Sequence, residues 1–322
     1  MLLMVLLLLG GFGALYFGAD WMVRGAARLE ASMGLSPIVI GLTVVSLGTS
    51  APELIVALLA TLRGSADIAV GNVLGSNLAN IGLILGATAL IQPLLVAERV
   101  VRQEIPLMIF LTLLLYPLII DVRVGRWDGA FLVLLMGGYL TYVFIQGRKA
   151  PPPLISEYSQ IAREGKPRDW RAVLASLAFL IAGSMGLLLG GRAIVESAIF
   201  LSESLGISEL GIGLTVVAIG TSLPELATSV MAAARRKTDI AVGNVIGSNI
   251  FNIVGVLGLT SLVKPVDVDP GVLWIEFPAV AALSFLVLLV SLFPMKKKEF
   301  RIRRWEGALL LASYIGLGFW IL

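Results

Sequence analysis

Glu53 and Glu225 each stand inside a long apolar run. Residues 41–54 read GLTVVSLGTSAPEL and residues 213–226 read GLTVVAIGTSLPEL, so each glutamate follows a proline, Pro52 or Pro224, and a Gly-Thr-Ser triplet. A carboxylate at the centre of a bilayer costs at least about 2.5–3.5 kcal/mol, and a chain that accepts this cost twice, at matching positions, uses it. On a helix Thr49 and Ser50 lie four and three residues before Glu53, on its face, and Thr221 and Ser222 do the same for Glu225. Each copy continues into DIAVGNVxGSNxxNI, at 67–81 and 239–253, where Ser76 and Asn80, and Ser248 and Asn252, are spaced i, i+4. The lining is all oxygen, which favours Ca²⁺, Na⁺ or Mg²⁺ over zinc or copper. Two carboxylates balance one Ca²⁺ or two Na⁺, whereas Mg²⁺ dehydrates reluctantly and demands tight octahedral geometry. A buried charge of −2 has to be neutralised by a cation or by protons, and a site neutralised by two ion types in turn is the physical basis of exchange.

Other polar residues have blander expectations. Asn77 and Asn249 read as helix–helix hydrogen bonds, Asn72 and Asn244 as packing or capping residues, Asp67 and Asp239 as N-caps at span ends. Asp20 and Glu30 are expected to face the membrane interface.

The elements that must position the glutamates are membrane helices. The chain is 58% hydrophobic and 14% charged, against about 25% charged for soluble domains. From the roughly 20-residue requirement for crossing a bilayer, ten spans are predicted near 2–23, 37–62, 68–92, 103–120, 129–146, 172–193, 210–234, 240–263, 272–294 and 305–322. The second, third, seventh and eighth are rich in Gly, Ser, Thr and Asn; the fourth, fifth, ninth and tenth are plainer and expected to form a lipid-facing frame. The first basic residue, Arg24, follows the first apolar stretch, which argues for a retained helix rather than a cleaved signal. With the N-terminus outside, inward loops carry 19 of the 24 Lys and Arg, as the positive-inside rule requires, and both termini lie outside. The stretch 147–171, with a Pro-Pro-Pro run and nine charged residues, is read as a cytoplasmic linker with room for one short surface helix.

Shifting the sequence by 172 residues lays 41–86 on 213–258 without a gap, and 27 of those 46 positions are identical. The chain is therefore a duplication: a first repeat, 1–146, the linker, 147–171, and a second repeat, 172–322. Five spans per copy is an odd number, so the copies cross the membrane in opposite directions. The expected fold is an all-α polytopic membrane protein of ten transmembrane helices in two inverted five-helix repeats. That plan puts a substrate site near the midplane, where interrupted helices meet. Pro52 and Pro224 supply the interruption, because they deny a hydrogen bond to the carbonyls of Gly48 and Gly220.

GTSAPEL and GTSLPEL, followed by GNVLGSNLANIG and GNVIGSNIFNIV, resemble the two alpha repeats of the cation/Ca²⁺ exchanger superfamily, most closely its prokaryotic sodium/calcium exchanger branch. The resemblance covers the whole chain. It implies alternating-access antiport, with Ca²⁺ leaving as Na⁺ enters. It implies ligands at Glu53 and Glu225, with Thr49, Ser50, Thr221 and Ser222 beside them, further ligands at Ser76, Asn80 and Ser248, and backbone carbonyls at Ser46 and Ala218. It also implies that the first and sixth spans slide over a rigid core. Some members carry aspartate where this chain has Asn252, and the asparagine is consistent with potassium-independent exchange.

The expected function is a Na⁺/Ca²⁺ antiporter in a cell (inner) membrane, with H⁺/Ca²⁺ antiport on the same fold and a passive cation channel as alternatives. Ca²⁺ and Na⁺ (H⁺ in the alternative) and the lipid bilayer are the expected partners; no nucleic acid and no resident cofactor are implied, and a monomer is expected. Enzymatic chemistry is not expected: without histidine there is no Ser-His dyad and no HExxH zinc site, and without cysteine no thiolate site.

Overall fold

A computed structural model describes residues 2–33, 35–64, 66–149, 170–204, 220–292 and 300–321. Each predicted segment falls on helix where it is described, apart from the breaks at the two glutamate motifs, a 3-10 stretch and turn at 272–275 that open the ninth, and single residues at the ends of the third and fourth. Among the described residues seven helices are long and apolar enough to cross a membrane, and a bent pair, Pro37–Thr49 with Ala51–Leu62, makes an eighth. Large apolar side chains such as Leu3, Leu6, Phe12, Leu134 and Ile181 are exposed on their outer faces. Lipid is the solvent such surfaces fit, and closed helices are what satisfies the backbone within it.

The first helix, Leu2–Met33, and the sixth, Trp170–Ser204, outrun their predicted spans by about ten residues each. Past its apolar stretch the first keeps a buried stripe, Ala26, Leu29 and Glu30, at helical spacing, and so packs on after it has left the apolar window. The two helices lie backbone against backbone. A Cβ on Gly18 would stand 2.7 Å from the Leu187 nitrogen, and one on Gly183 2.7 Å from that of Met22. Gly11 meets Gly190 in the same way. Small residues allow this approach in lipid. Gly183 and Gly190 are the 172-residue counterparts of Gly11 and Gly18, so related helices face each other and run in opposite directions.

Other contacts are exchanged between the halves in the same manner. The third segment (66–91) packs on Arg304–Ile321, and the eighth (238–263) packs on Arg126–Lys149. Ile105–Ile119 packs on Glu276–Leu292, with the Tyr116 and Phe277 rings 5.2 Å apart. Two antiparallel ribbons close the ends: Leu94–Val96 pairs with Phe300–Ile302, and Arg123–Val124 with Val266–Asp267.

The eighth segment is wholly buried, the third largely so, and the first, fifth and sixth are mostly exposed. The polar-rich third and eighth segments thus form the centre, as expected. The fourth and ninth are half-buried against each other, and the first and sixth are as exposed as any frame helix. Among the described residues four π-helical turns, Gly41–Val45, Ala79–Leu85, Val100–Glu104 and Phe251–Leu257, have no signature in the sequence. Residues 150–169 of the expected linker, 147–171, lie outside the described residues, as do 205–219, which include the start of the seventh segment.

Candidate functional site

Helix Ser46–Thr49 stops at Ser50 (φ −86°, ψ 6°) and restarts as Ala51–Leu62, with a change of direction of 42°. The second copy repeats this at Ser222 (φ −89°, ψ 3°), before Leu223–Ala234. Pro52 and Pro224 sit in the first turn of the new helix, where no N–H is needed from them. Glu53 and Glu225 follow in that same turn, where the free N–H groups and the positive end of the helix dipole favour a carboxylate.

Both glutamates are 1% exposed. The Ser50 hydroxyl donates to Glu225 Oε1 at 3.0 Å, so the two bends meet inside the protein rather than pointing into lipid. The Thr49 hydroxyl donates to Asn244 Oδ1 at 3.0 Å and also faces the Glu225 carboxylate. The mirror contact is missing: the Ser222 hydroxyl is buried and bonds to nothing among the described residues.

The buried oxygens without a hydrogen-bond partner among the described residues include Glu53 Oε2, Glu225 Oε2, Asn80 Oδ1, Asn252 Oδ1, Ser222 Oγ and Ser248 Oγ. Orphaned buried acceptors are costly and rare. All but the two hydroxyls are acceptors only, and an oxygen set of this kind is what a hard cation satisfies. No group of three or more acidic or histidine side chains occurs among the described residues. Any cation here would therefore rest on two carboxylates plus neutral oxygens.

Asn80 and Asn252 fall in the π-helical turns Ala79–Leu85 and Phe251–Leu257. Such turns re-aim side chains and recur at functional sites. Next to them the expected helix–helix bonds are present. Asn252 Nδ2 donates to Asn77 Oδ1 at 3.1 Å, and Asn77 Nδ2 to the Asn249 carbonyl at 3.3 Å. The Ser46 hydroxyl bonds back to the Leu42 carbonyl at 3.0 Å, while its own carbonyl accepts from the Ser50 nitrogen at 2.9 Å and the Thr49 hydroxyl at 3.3 Å. Ser76 is buried and Thr221 half-buried. Ala218 lies outside the described residues.

Asn72 and Asn244 do more than pack. Each reaches from its helix to the backbone carbonyl of the glutamate 19 residues earlier, Asn72 to Glu53 at 3.3 Å and Asn244 to Glu225 at 3.4 Å. Asn244 Nδ2 also donates to Ser229 Oγ at 3.0 Å. The repeated offset was visible in the sequence; only the geometry says what it serves. Three expectations fail. Asp20 is buried rather than interfacial, because Arg24 (2.8 Å) and Arg235 both pair with it. Glu30 is buried too. Asp239 lies in the first turn of its helix, behind Lys237, which occupies the cap position.

Known proteins resemble this chain in sequence and fold. The sodium/calcium exchanger protein family matches residues 3–145 and 175–322. The chain is 40% identical to CaxA of Alkalimonas amylolytica over 98% of both chains. It is 32% identical to the sodium/calcium exchanger MaX1 of Methanosarcina acetivorans over 96% of both. A structure of the sodium-calcium exchanger NCX_Mj soaked with Na⁺ and Sr²⁺ superposes with a TM-score of 0.82 at 33% identity, covering 98% of this chain and 97% of that one. Sequence and fold agree, and the chain belongs to the sodium/calcium exchanger family, on its prokaryotic branch.

Proposed function

We propose that the protein is a secondary antiporter that exchanges Na⁺ for Ca²⁺ by alternating access. The observation that carries this reading is the set of partnerless buried oxygens around Glu53 and Glu225. The two carboxylates, with Thr49, Ser50, Thr221, Ser222, Ser76, Asn80, Ser248 and Asn252, and the Ser46 and Ala218 carbonyls, hold one Ca²⁺ or a set of Na⁺ ions. Either load cancels the same buried charge, and an empty site is costly to leave in mid-membrane. That penalty ties the return of the carrier to a second cargo. The exchanged contacts and the antiparallel counterpart helices support two inverted five-span repeats, 1–146 and 172–322, joined by a cytoplasmic linker at 147–171. The Lys and Arg distribution supports termini on the outer face of the cell (inner) membrane. The protein works as a monomer.

Vesicles loaded with Na⁺ should take up labelled Ca²⁺ when external Na⁺ is removed. Uptake that ignores Na⁺ but follows an imposed pH gradient would replace the Na⁺ coupling by H⁺. Flux that never runs uphill on a counter-gradient would make the protein a channel.

A further inference from the structure

Asp20 is the one buried carboxylate of the first helix that is tied to another part of the molecule by an ion pair among the described residues. Its side chain is 7% exposed; it pairs with Arg24 of its own helix at 2.8 Å and with Arg235, 215 residues away. Arg235 is the residue on which Leu223–Ala234, the helix that begins at Glu225, comes to an end. The turn after it is tight, with Arg236 at φ +59°. Farther along the first helix, Glu30 lies among Lys237 and Asp239 of the same turn. The outer helix is thus fastened, at Asp20, to the end of the helix that carries a site glutamate. The same outer helix covers the bend of the other motif, since a Cβ on Gly48 would stand 3.1 Å from Met22 Cε.

The fastening has no twin. The 172-residue shift that relates the two halves puts Arg192 at the place of Asp20 and Arg63 at the place of Arg235. Two like charges cannot pair. Arg192 bonds instead to Glu196 of its own helix at 2.6 Å, both side chains well exposed. Among the described residues Arg63 has no ionic partner. The glutamate motif is repeated, but among the described residues this ion pair is built in one half only.

We propose that the Asp20–Arg235 pair, backed by Arg24, is a one-sided latch. It holds the ion path shut on the face that carries Arg235 and has to open once in each transport cycle. This rests on the alternating-access reading above, in which one set of helices moves against another around a fixed site. At the equivalent places of the other repeat stand Arg63 and Arg192, which cannot form such a pair.

A tie that opens in every cycle cannot be made covalent without stopping the cycle, whereas a merely structural contact can. The chain has no cysteine, so Asp20→Cys with Arg235→Cys can be joined by a bis-methanethiosulfonate linker and released by reductant. Joined protein in Na⁺-loaded vesicles is expected to lose Ca²⁺ exchange and to regain it on reduction. The same linker between Leu95→Cys and Arg301→Cys, which pair in a terminal ribbon, is expected to leave exchange intact. Full exchange in the joined 20–235 protein would overturn the latch. Absence of exchange in wild-type vesicles would instead overturn the antiport reading. Asp20→Asn and Arg235→Gln give a second readout that does not depend on the linker. Each should still exchange, with the apparent Ca²⁺ affinity on the Arg235 face raised about tenfold relative to the opposite face, the effect of ~1.4 kcal/mol. Loss of exchange in both, or an unchanged ratio between the faces, would make the pair a structural one.

Discussion

Glu53→Gln tests the site most directly, because it removes a charge and keeps the shape. Two unit charges 4 Å apart attract by about 4 kcal/mol at an effective dielectric of about 20, so a divalent ion loses about 8 kcal/mol of attraction. Part of this is returned, since a buried carboxylate costs several kcal/mol of desolvation. Glu53 is 1% exposed and one of its oxygens has no hydrogen-bond partner, so the cost in the ion-free protein is real. The net loss is a few kcal/mol, or roughly 10²–10⁴-fold in Ca²⁺ affinity at 1.4 kcal/mol per tenfold. Two assays read it. Na⁺-driven Ca²⁺ uptake into vesicles should fall below detection at Ca²⁺ concentrations that saturate the wild type. Thermal unfolding in detergent should show the opposite sign: without ions the variant melts above the wild type, having lost a buried charge. Ca²⁺ at about 100 times the wild-type dissociation constant stabilises the wild type by about 2.7 kcal/mol and should leave the variant unmoved. A variant that exchanges within tenfold of wild type, or that keeps its Ca²⁺-dependent melting shift, would refute the assignment of Glu53 to the ion.

Ser50→Ala removes the donor to Glu225, a bond to a charged group worth about 1.5–3 kcal/mol. It should lower the ion-free melting temperature, while Ser222→Ala, whose hydroxyl makes no such bond, should not. Asn244→Leu removes three hydrogen bonds, to the Glu225 carbonyl, to the Ser229 hydroxyl and from the Thr49 hydroxyl. Asn72→Leu removes one, to the Glu53 carbonyl, so the first should destabilise more in a denaturation series. Gly18→Leu would drive a side chain into the Leu187 backbone nitrogen, 2.7 Å from where its Cβ must stand. Little folded protein should survive gel filtration, whereas Gly13→Leu, with open space around it, should be recovered like wild type.

The duplication, the apolar helical segments and both glutamate bends were legible in the sequence because each leaves a local mark. Apolar length marks a span, Gly-Thr-Ser before Pro-Glu marks a break, and a constant shift marks a repeat. What was not legible depends on who meets whom. The π-helical turns at 79–85 and 251–257 accommodate one extra residue per turn, and nothing in ANIGLIL or FNIVGVL announces it, since Ile, Leu and Val serve either geometry. Asp20 was expected at the interface because it stands near the first span; Arg235, which joins Arg24 in pairing with it, is 215 residues away. The role of Asn72 and Asn244 was hidden for the same reason, since a side chain that braces a carbonyl on another helix looks like any polar residue in a small-residue stripe.

Two nearly identical motifs nevertheless build unequal halves of the site. Ser50 donates to Glu225, yet Ser222 leaves Glu53 without the same help, although both serines precede a proline and a glutamate at the same spacing. The flanking residues explain how this arises. Asn244 is drawn to Ser229 and Thr49, and its counterpart Asn72 has Ala57 where Asn244 has Ser229. One bend is therefore held by a network, and the other by a single bond. A hydroxyl can donate to a carboxylate and still offer a lone pair to a cation, so under the antiport reading the braced half around Glu225 would be the preorganised side of the site and Glu53, with one oxygen unpartnered, the less constrained ligand. A carrier on that reading uses both properties: rigidity to recognise its cargo, and one less firmly held ligand to let the cargo go.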